Sequence, residues 1–197
     1  MIDYFALLDQ PRAPWLEPDE LKVVYHKKTL RAHPDAQTNR TSSDDDTNSS
    51  FANLNEAYQI LQDPKRRLHH LLSLQNCPPS SANQTVPQDL HDLFPRVGAL
   101  TERSRVLLEE IQATPNALSR SLLKPRVLEM QNETKAVRET IQNLSDASLD
   151  QLRQINRIWA ENPAQQIEAL SNLYFAFAYL TRWSAQLDEI LFQLSLH

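Results

Sequence analysis

His33 and Asp35 stand on either side of Pro34, and a histidine beside a carboxylate is raw material for general acid–base chemistry. A catalytic dyad of this kind also needs a nucleophile and donors for an oxyanion, and the neighbouring sequence supplies neither. Gly98 is the one glycine in 197 residues, which excludes the glycine-rich loops that cradle phosphates. Cys77 is the one cysteine, which rules out an internal disulfide and a cysteine-cluster zinc site. His69, His70 and His91 have no acid or cysteine at i+3 or i+4, so they read as solvated or packing histidines rather than metal ligands. Asp44-Asp45-Asp46 lacks the further ligands and the glycine of a calcium loop. The expectation is a protein without metal or cofactor and without enzymatic chemistry. The chemistry left to His33 and Asp35 is recognition: a carboxylate can hold a partner's cation in a charge-assisted hydrogen bond, about twice as strong as a neutral one.

The flanking elements must hold that carboxylate outward. Pro34 has no N–H and disfavours helical geometry for the residue before it, so a helix arriving at His33 should stop there. Glu17-Pro18-Asp19-Glu20 reads as the start of that helix, with proline in the first turn and acids at the positive end of the dipole. Leu21, Val24, Tyr25 and the stem of Lys28 mark its inner side, and Lys22, His26, Lys27 and Arg31 its outer side. A short helix over 2–9 and a proline-broken connection over 10–15 precede it. The stretch 36–50 has no large apolar side chain and predicts a solvated, mobile loop. Phe51, Leu54, Tyr58 and Leu61 then form a core stripe. Asp63 and Pro64 cap and open a fourth helix that turns Leu68, Leu71 and Leu72 inward.

Residues 3–74 resemble the J-domain (DnaJ-like) family. The resemblance rests on Asp3-Tyr4-Phe5 and on Leu21, Lys22, Tyr25, Lys27, Leu30 and Arg31 ahead of His33-Pro34-Asp35. It continues through Leu54-Asn55-Glu56-Ala57-Tyr58 with Leu61, and through Asp63-Pro64 with Arg66 and Arg67. Tyr-Phe in the opening motif, the Asp3–His33 spacing, Leu71-Leu72-Ser73-Leu74 and a long helical remainder are similar to the HscB branch. Lys28, Ala32 and Ala36 depart from the family pattern.

The resemblance implies a co-chaperone in iron–sulfur cluster assembly. It would dock His33, Pro34, Asp35, Lys22, His26, Lys27 and Arg31 on a DnaK/HscA-type chaperone and stimulate its ATPase. It would also deliver a client, the iron–sulfur scaffold protein, held through Leu93, Phe94, Val97 and Leu100. In the family this client patch has acids beside it, where Pro95, Arg96 and Gly98 stand here. Two alternatives stay open: another client on the same machinery, or an interaction scaffold that kept the J-fold and recruits no ATPase.

The fold expected is all-α: a J-domain over 1–75, a linker over 76–88 rich in Pro, Ser, Asn and Gln, and an antiparallel helical bundle over 89–197. Val97, Leu100, Leu107, Leu108 and Ile111 outline one bundle helix ending near Pro115. Leu123, Val127, Met130, Thr134, Val137, Ile141 and Leu144 alternate steps of 4 and 3, a bundle seam with one polar layer and with Pro125 at its start or at a kink. Leu149, Leu152, Ile155 and Trp159 read as a separate short piece. Asn162-Pro163 opens a last helix over 163–195, with Ile167, Leu170, Tyr174, Phe177, Leu187, Leu191 and Leu194 inward. Trp159, Tyr174, Phe175, Phe177 and Trp183 are expected in the core. A net charge of −5 argues against nucleic acid as partner. Residues 1–12 lack a signal-peptide pattern, and 173–180 is too short to span a bilayer, so a cytoplasmic location without membrane contact is expected.

Overall fold

The computed structural model describes residues 1–32, 44–79 and 87–197, with only the helical backbone described at Ala32, at 44–50 and at Asp89. Among the described residues all regular structure is helical: α1 (Tyr4–Leu7), α2 (Pro18–Ala32), α3 (Asp44–Gln62), α4 (Pro64–Leu74), α5 (Leu93–Ala113), α6 (Ala117–Ser121), α7 (Lys124–Trp159) and α8 (Pro163–Ser195). The starts follow local chemistry. Asp3 caps α1 by accepting from the N–H groups of Phe5 and Ala6, and Asp63 caps α4 by accepting from Arg66 N–H at 2.7 Å. Pro18, Pro64 and Pro163 occupy first helical positions, where the missing N–H costs nothing. Pro125 falls in the first turn of α7 and marks a start rather than a kink.

Two helices depart from expectation. α3 begins at Asp44 rather than near Phe51, so 44–50 is helix and not loop. Its polarity argued for a loop, but three aspartates suit the positive end of a helix dipole. The rest of that stretch, 36–43, lies outside the described residues. α7 runs without a break through 145–159, joining the seam and the short piece in one helix. No proline or glycine interrupts it there, and Ser148 Oγ donates back to the Leu144 carbonyl at 2.8 Å. The five-residue α6, capped by Asn116, was not foreseen.

The chain forms two compact units, Met1–Gln84 with Gln151–Tyr174, and Thr85–Asp150 with Phe175–His197. Residues 151–174 belong with the N-terminal unit. In that first unit Phe5, Leu8, Leu21, Leu54, Ala57, Leu61, Leu68, Leu71 and Leu72 are buried. α2 and α3 form the hairpin, with Tyr25 stacked on Tyr58 at 4.2 Å and donating to Asn55 Oδ1 at 2.6 Å. Phe51 is 37% exposed, so the α3 stripe starts one turn later, with Ala57 fully buried in it.

The stretch 10–15 does more than connect. Trp15 N–H donates to Asn156 Oδ1 at 3.1 Å, and Trp159 Nε1–H donates to the Arg12 carbonyl at 2.7 Å. Arg153 lies over the Trp15 ring, 4.3 Å from its centroid. These partners come from the end of α7, within the same unit.

In the second unit Leu93, Val97, Leu100, Leu107 and Ile111 of α5 meet Val127, Met130, Val137 and Ile141 of α7 and Leu180, Trp183, Leu187 and Leu194 of α8. Thr134 is the polar layer, fully buried, its hydroxyl satisfied by the Met130 carbonyl at 2.7 Å. Phe175, Phe177 and Trp183 are buried as expected; in the first unit Trp159 is buried as well and Tyr174 is half-buried.

Candidate functional site

The site singled out in the sequence divides in two. Lys22, His26, Lys27 and Arg31 are all exposed on α2, and none forms an ion pair with another described residue. At 100° per residue, Val23 and Leu30 fall between Lys22/His26 on one side and Lys27/Arg31 on the other. Val23 is 66% and Leu30 72% exposed. The outer face of α2 is thus a narrow apolar strip with bases on both flanks. α2 ends its described course at Ala32. His33, Pro34 and Asp35 lie outside the described residues.

What fixes that face is the inner side of the same helix. Leu21 is buried, and Tyr25 is held by Asn55 and Tyr58. Lys28 occupies a place where a large apolar residue is usual in the family resembled. Its stem is half-buried, and its ammonium donates to the Leu7 carbonyl at 2.6 Å and pairs with Asp9 at 2.8 Å. The amine ties α2 to the end of α1, so this departure keeps the helix in place.

α1 is held from α4. Tyr4 N–H donates to His70 Nε2 at 3.1 Å, and the imidazole stacks on Phe5 at 5.6 Å. His70 is a packing histidine, 5% exposed, while His69 is exposed and touches the Tyr174 ring. Burial lowers the His70 pKa from its ordinary 6.5, Asp3 opposes that shift, and His69 and Arg12 reinforce it. Burial acts to raise the Asp3 carboxyl, but Arg12 and the α1 N–H groups outweigh it and hold it below its ordinary value.

A pH dependence follows from His70. It binds a proton less readily folded than unfolded, so its contribution to stability is complete above 6.5 and is lost as pH falls through its lowered folded value. Asp3 stays ionised across that window, so the loss belongs to the histidine. We expect the N-terminal unit to be less stable at about pH 5.5 than at about pH 7.5. His70→Gln, which retains an acceptor for Tyr4, should flatten that difference in denaturant titrations; an unchanged difference would assign it elsewhere.

Arg67 escaped attention as a structural residue. It is 3% exposed, donates from Nε to the Pro14 carbonyl at 2.8 Å and from an Nη to the Leu61 carbonyl at 2.6 Å, and lies 5.7 Å from the Trp15 ring centroid. Burial lowers its pKa to about 10, with Asp63 opposing, so it stays charged at neutral pH.

The residues marked for a client fare differently. Leu93, Val97 and Leu100 are no more than 2% exposed, part of the core of the second unit. Leu93, Val97, Leu100, Leu107 and Ile111 belong to one 4–3 core stripe. Phe94 alone presents surface, 37% exposed, packed edge-on against Trp183 at 4.7 Å and Tyr179 at 5.0 Å. Among the described residues no group of three His, Cys, Asp or Glu side chains is placed to hold a metal ion. No described helix is long and apolar enough to cross a membrane.

Residues 3–70 match the family model "DnaJ domain", so the chain carries a J-domain. It is 36% identical over 67 residues to the chaperone protein DnaJ of Protochlamydia amoebophila, 34% of this chain and 16% of that protein. Over residues 3–70 the chain is DnaJ-domain-like, and its fold is similar to that of HscB. It is 30% identical over 117 residues to the co-chaperone protein HscB of Proteus mirabilis, 59% of this chain and 64% of that one. The solved structure of chaperone HscB from Vibrio cholerae superposes with a TM-score of 0.57 over 98% of this chain and 99% of that chain, at 20% identity. Human HscB superposes at 0.56, with 15% identity. The matched stretches thus span less than two thirds of the DnaJ and HscB relatives compared by sequence.

Proposed function

We propose that this chain is a co-chaperone that stimulates the ATPase of a DnaK/HscA-type chaperone and delivers a client to it, the iron–sulfur scaffold protein in the HscB manner. The observation that carries the reading is the exposed basic face of α2 leading directly into His33-Pro34-Asp35 within a matched DnaJ domain. The partition of labour is electrostatic. Lys22, His26, Lys27 and Arg31 steer an acidic surface of the chaperone toward α2, Val23 and Leu30 give the docked face apolar area, and Asp35 engages an arginine of the chaperone. The bond cleaved is the partner's; no covalent chemistry takes place in this chain.

A client other than the scaffold is the second reading. It is favoured by the burial of Leu93, Val97 and Leu100, which leaves Phe94 beside Arg96 as the exposed part of that stretch.

Steering by exposed charges is screened by salt, with a Debye length of about 10 Å at 0.1 M. Lys27→Glu with Arg31→Glu should slow association with the chaperone by about tenfold or more at low salt, and the deficit should shrink as salt is added. Stopped-flow association rates across a salt series check this; equal rates at low salt would remove α2 from the interface.

A further inference from the structure

At one end of the second unit, α6 carries Leu118 and is capped by Leu122, 73% and 74% exposed and four residues apart. Leu128 of α7 and Phe192 and Leu196 of α8 are each 57–60% exposed. Leu196 is also part of a cleft of about 260 Å³, lined besides by Ile111, Ala117, Arg120, Ser121, Leu123, Lys124, Val127 and His197, so that Leu118 and Leu122 lie next to lining residues in the chain without lining it themselves. Leu128 stands one turn beyond Lys124 and Phe192 one turn before Leu196, so the apolar surface continues out of the cleft along α7 and α8. Large apolar side chains left exposed in such number on one surface mark an interaction site.

The charge at the rim says what kind of partner fits. No Asp or Glu side chain lines the cleft, and Arg120 and Lys124 outnumber the one carboxylate there, that of His197. Arg120 and Lys124, like Arg96, Lys135 and Arg182 of the same unit, have no ion-pair partner among the described residues, and they are the two of these that line the cleft. In a chain of net charge −5, two unpaired cations beside an apolar cleft reverse the local sign and select an acidic partner. The space is below the ~300–1,000 Å³ of pockets for drug-sized molecules and suits one or two anchoring side chains.

We propose that this end of the second unit docks an amphipathic segment of a partner protein, with aliphatic or aromatic anchors on one face and Asp or Glu beside them. The concavity favours an inserted side chain over a lipid surface, and the net charge opposes an anionic membrane. The surface shares no residue with α2 or with the stretch around Phe94, so the proposal does not depend on the co-chaperone reading.

Random peptides displayed on phage and selected on the full-length protein test it, with synthetic copies of the winners titrated by fluorescence anisotropy. The expected binders combine Leu or Phe with Asp or Glu. They should bind at least about tenfold more weakly to Arg120→Glu/Lys124→Glu and to Leu122→Ser/Leu196→Ser. All four substituted side chains are exposed, and circular dichroism should show unchanged helicity. Binders without acids, binders indifferent to both double variants, or no binders at all would overturn the proposal. So would tighter binding to phosphatidylserine vesicles than to any peptide, or a homodimer that Leu122→Ser/Leu196→Ser dissociates.

Discussion

Arg67→Met is expected to lower the stability of the N-terminal unit by about 2–5 kcal/mol, a large part of the ~5–15 kcal/mol typical of a whole domain. Methionine fills much of the same volume, so the loss is not a cavity effect. It comes from two buried carbonyls, Pro14 and Leu61, that lose their donors together. Each buried polar group left unsatisfied costs about 1–3 kcal/mol. Leu61 lies at the end of α3, where the negative pole of the helix also favours a cation. Against this stands the desolvation of the guanidinium, visible in its lowered pKa, which the variant recovers. Two orphaned carbonyls outweigh that gain because apolar replacement of one partner leaves the others without water. Arg67→Lys should restore only part of the loss, since one ammonium cannot reproduce the planar fork that spans both carbonyls. Denaturant unfolding checks the series; a Met variant within about 0.5 kcal/mol of wild type would mean the carbonyls find water instead.

Arg67 also shows where the sequence stopped being legible. Its place in the Asp-Pro-x-x-Arg motif was visible, but its partner carbonyl at Pro14 is 53 residues away. The same holds for Trp15 and Trp159, whose hydrogen-bond partners are 141 and 147 residues distant. Nothing in a local pattern encodes such contacts, so the hydrogen bonds of 10–15 to the end of α7 were not legible. Helix starts at Pro18, Pro64 and Pro163 were legible because proline at a first helical position is a local signal. The first turns of α3 were not, because Asp, Thr, Asn and Ser favour both loops and helix N-termini. The second unit's seam was read correctly down to buried Thr134, since a 4–3 repeat leaves little choice of face. Leu93, Val97 and Leu100 follow the same rule and are buried.

The second large effect falls on Asp35. Asparagine there keeps the size and removes the charge. With Pro34 expected to end the helix before it, Asp35 is expected to be exposed, and an exposed change of this kind alters stability by less than about 0.5 kcal/mol, whereas losing one member of a charged pair at a docked interface costs about 2–5 kcal/mol, more than tenfold in affinity. The Asp35→Asn variant should therefore melt like wild type and fail as an activator, while the basic face of α2 remains intact. The measurement that bears most directly on the co-chaperone reading is single-turnover ATP hydrolysis by the cognate DnaK/HscA-type chaperone, with wild-type chain, with Asp35→Asn and without either. The account predicts stimulation by wild type and hydrolysis at the unstimulated rate with Asp35→Asn. No stimulation by wild type, or equal stimulation by the variant, would contradict it and leave a J-fold used for assembly alone.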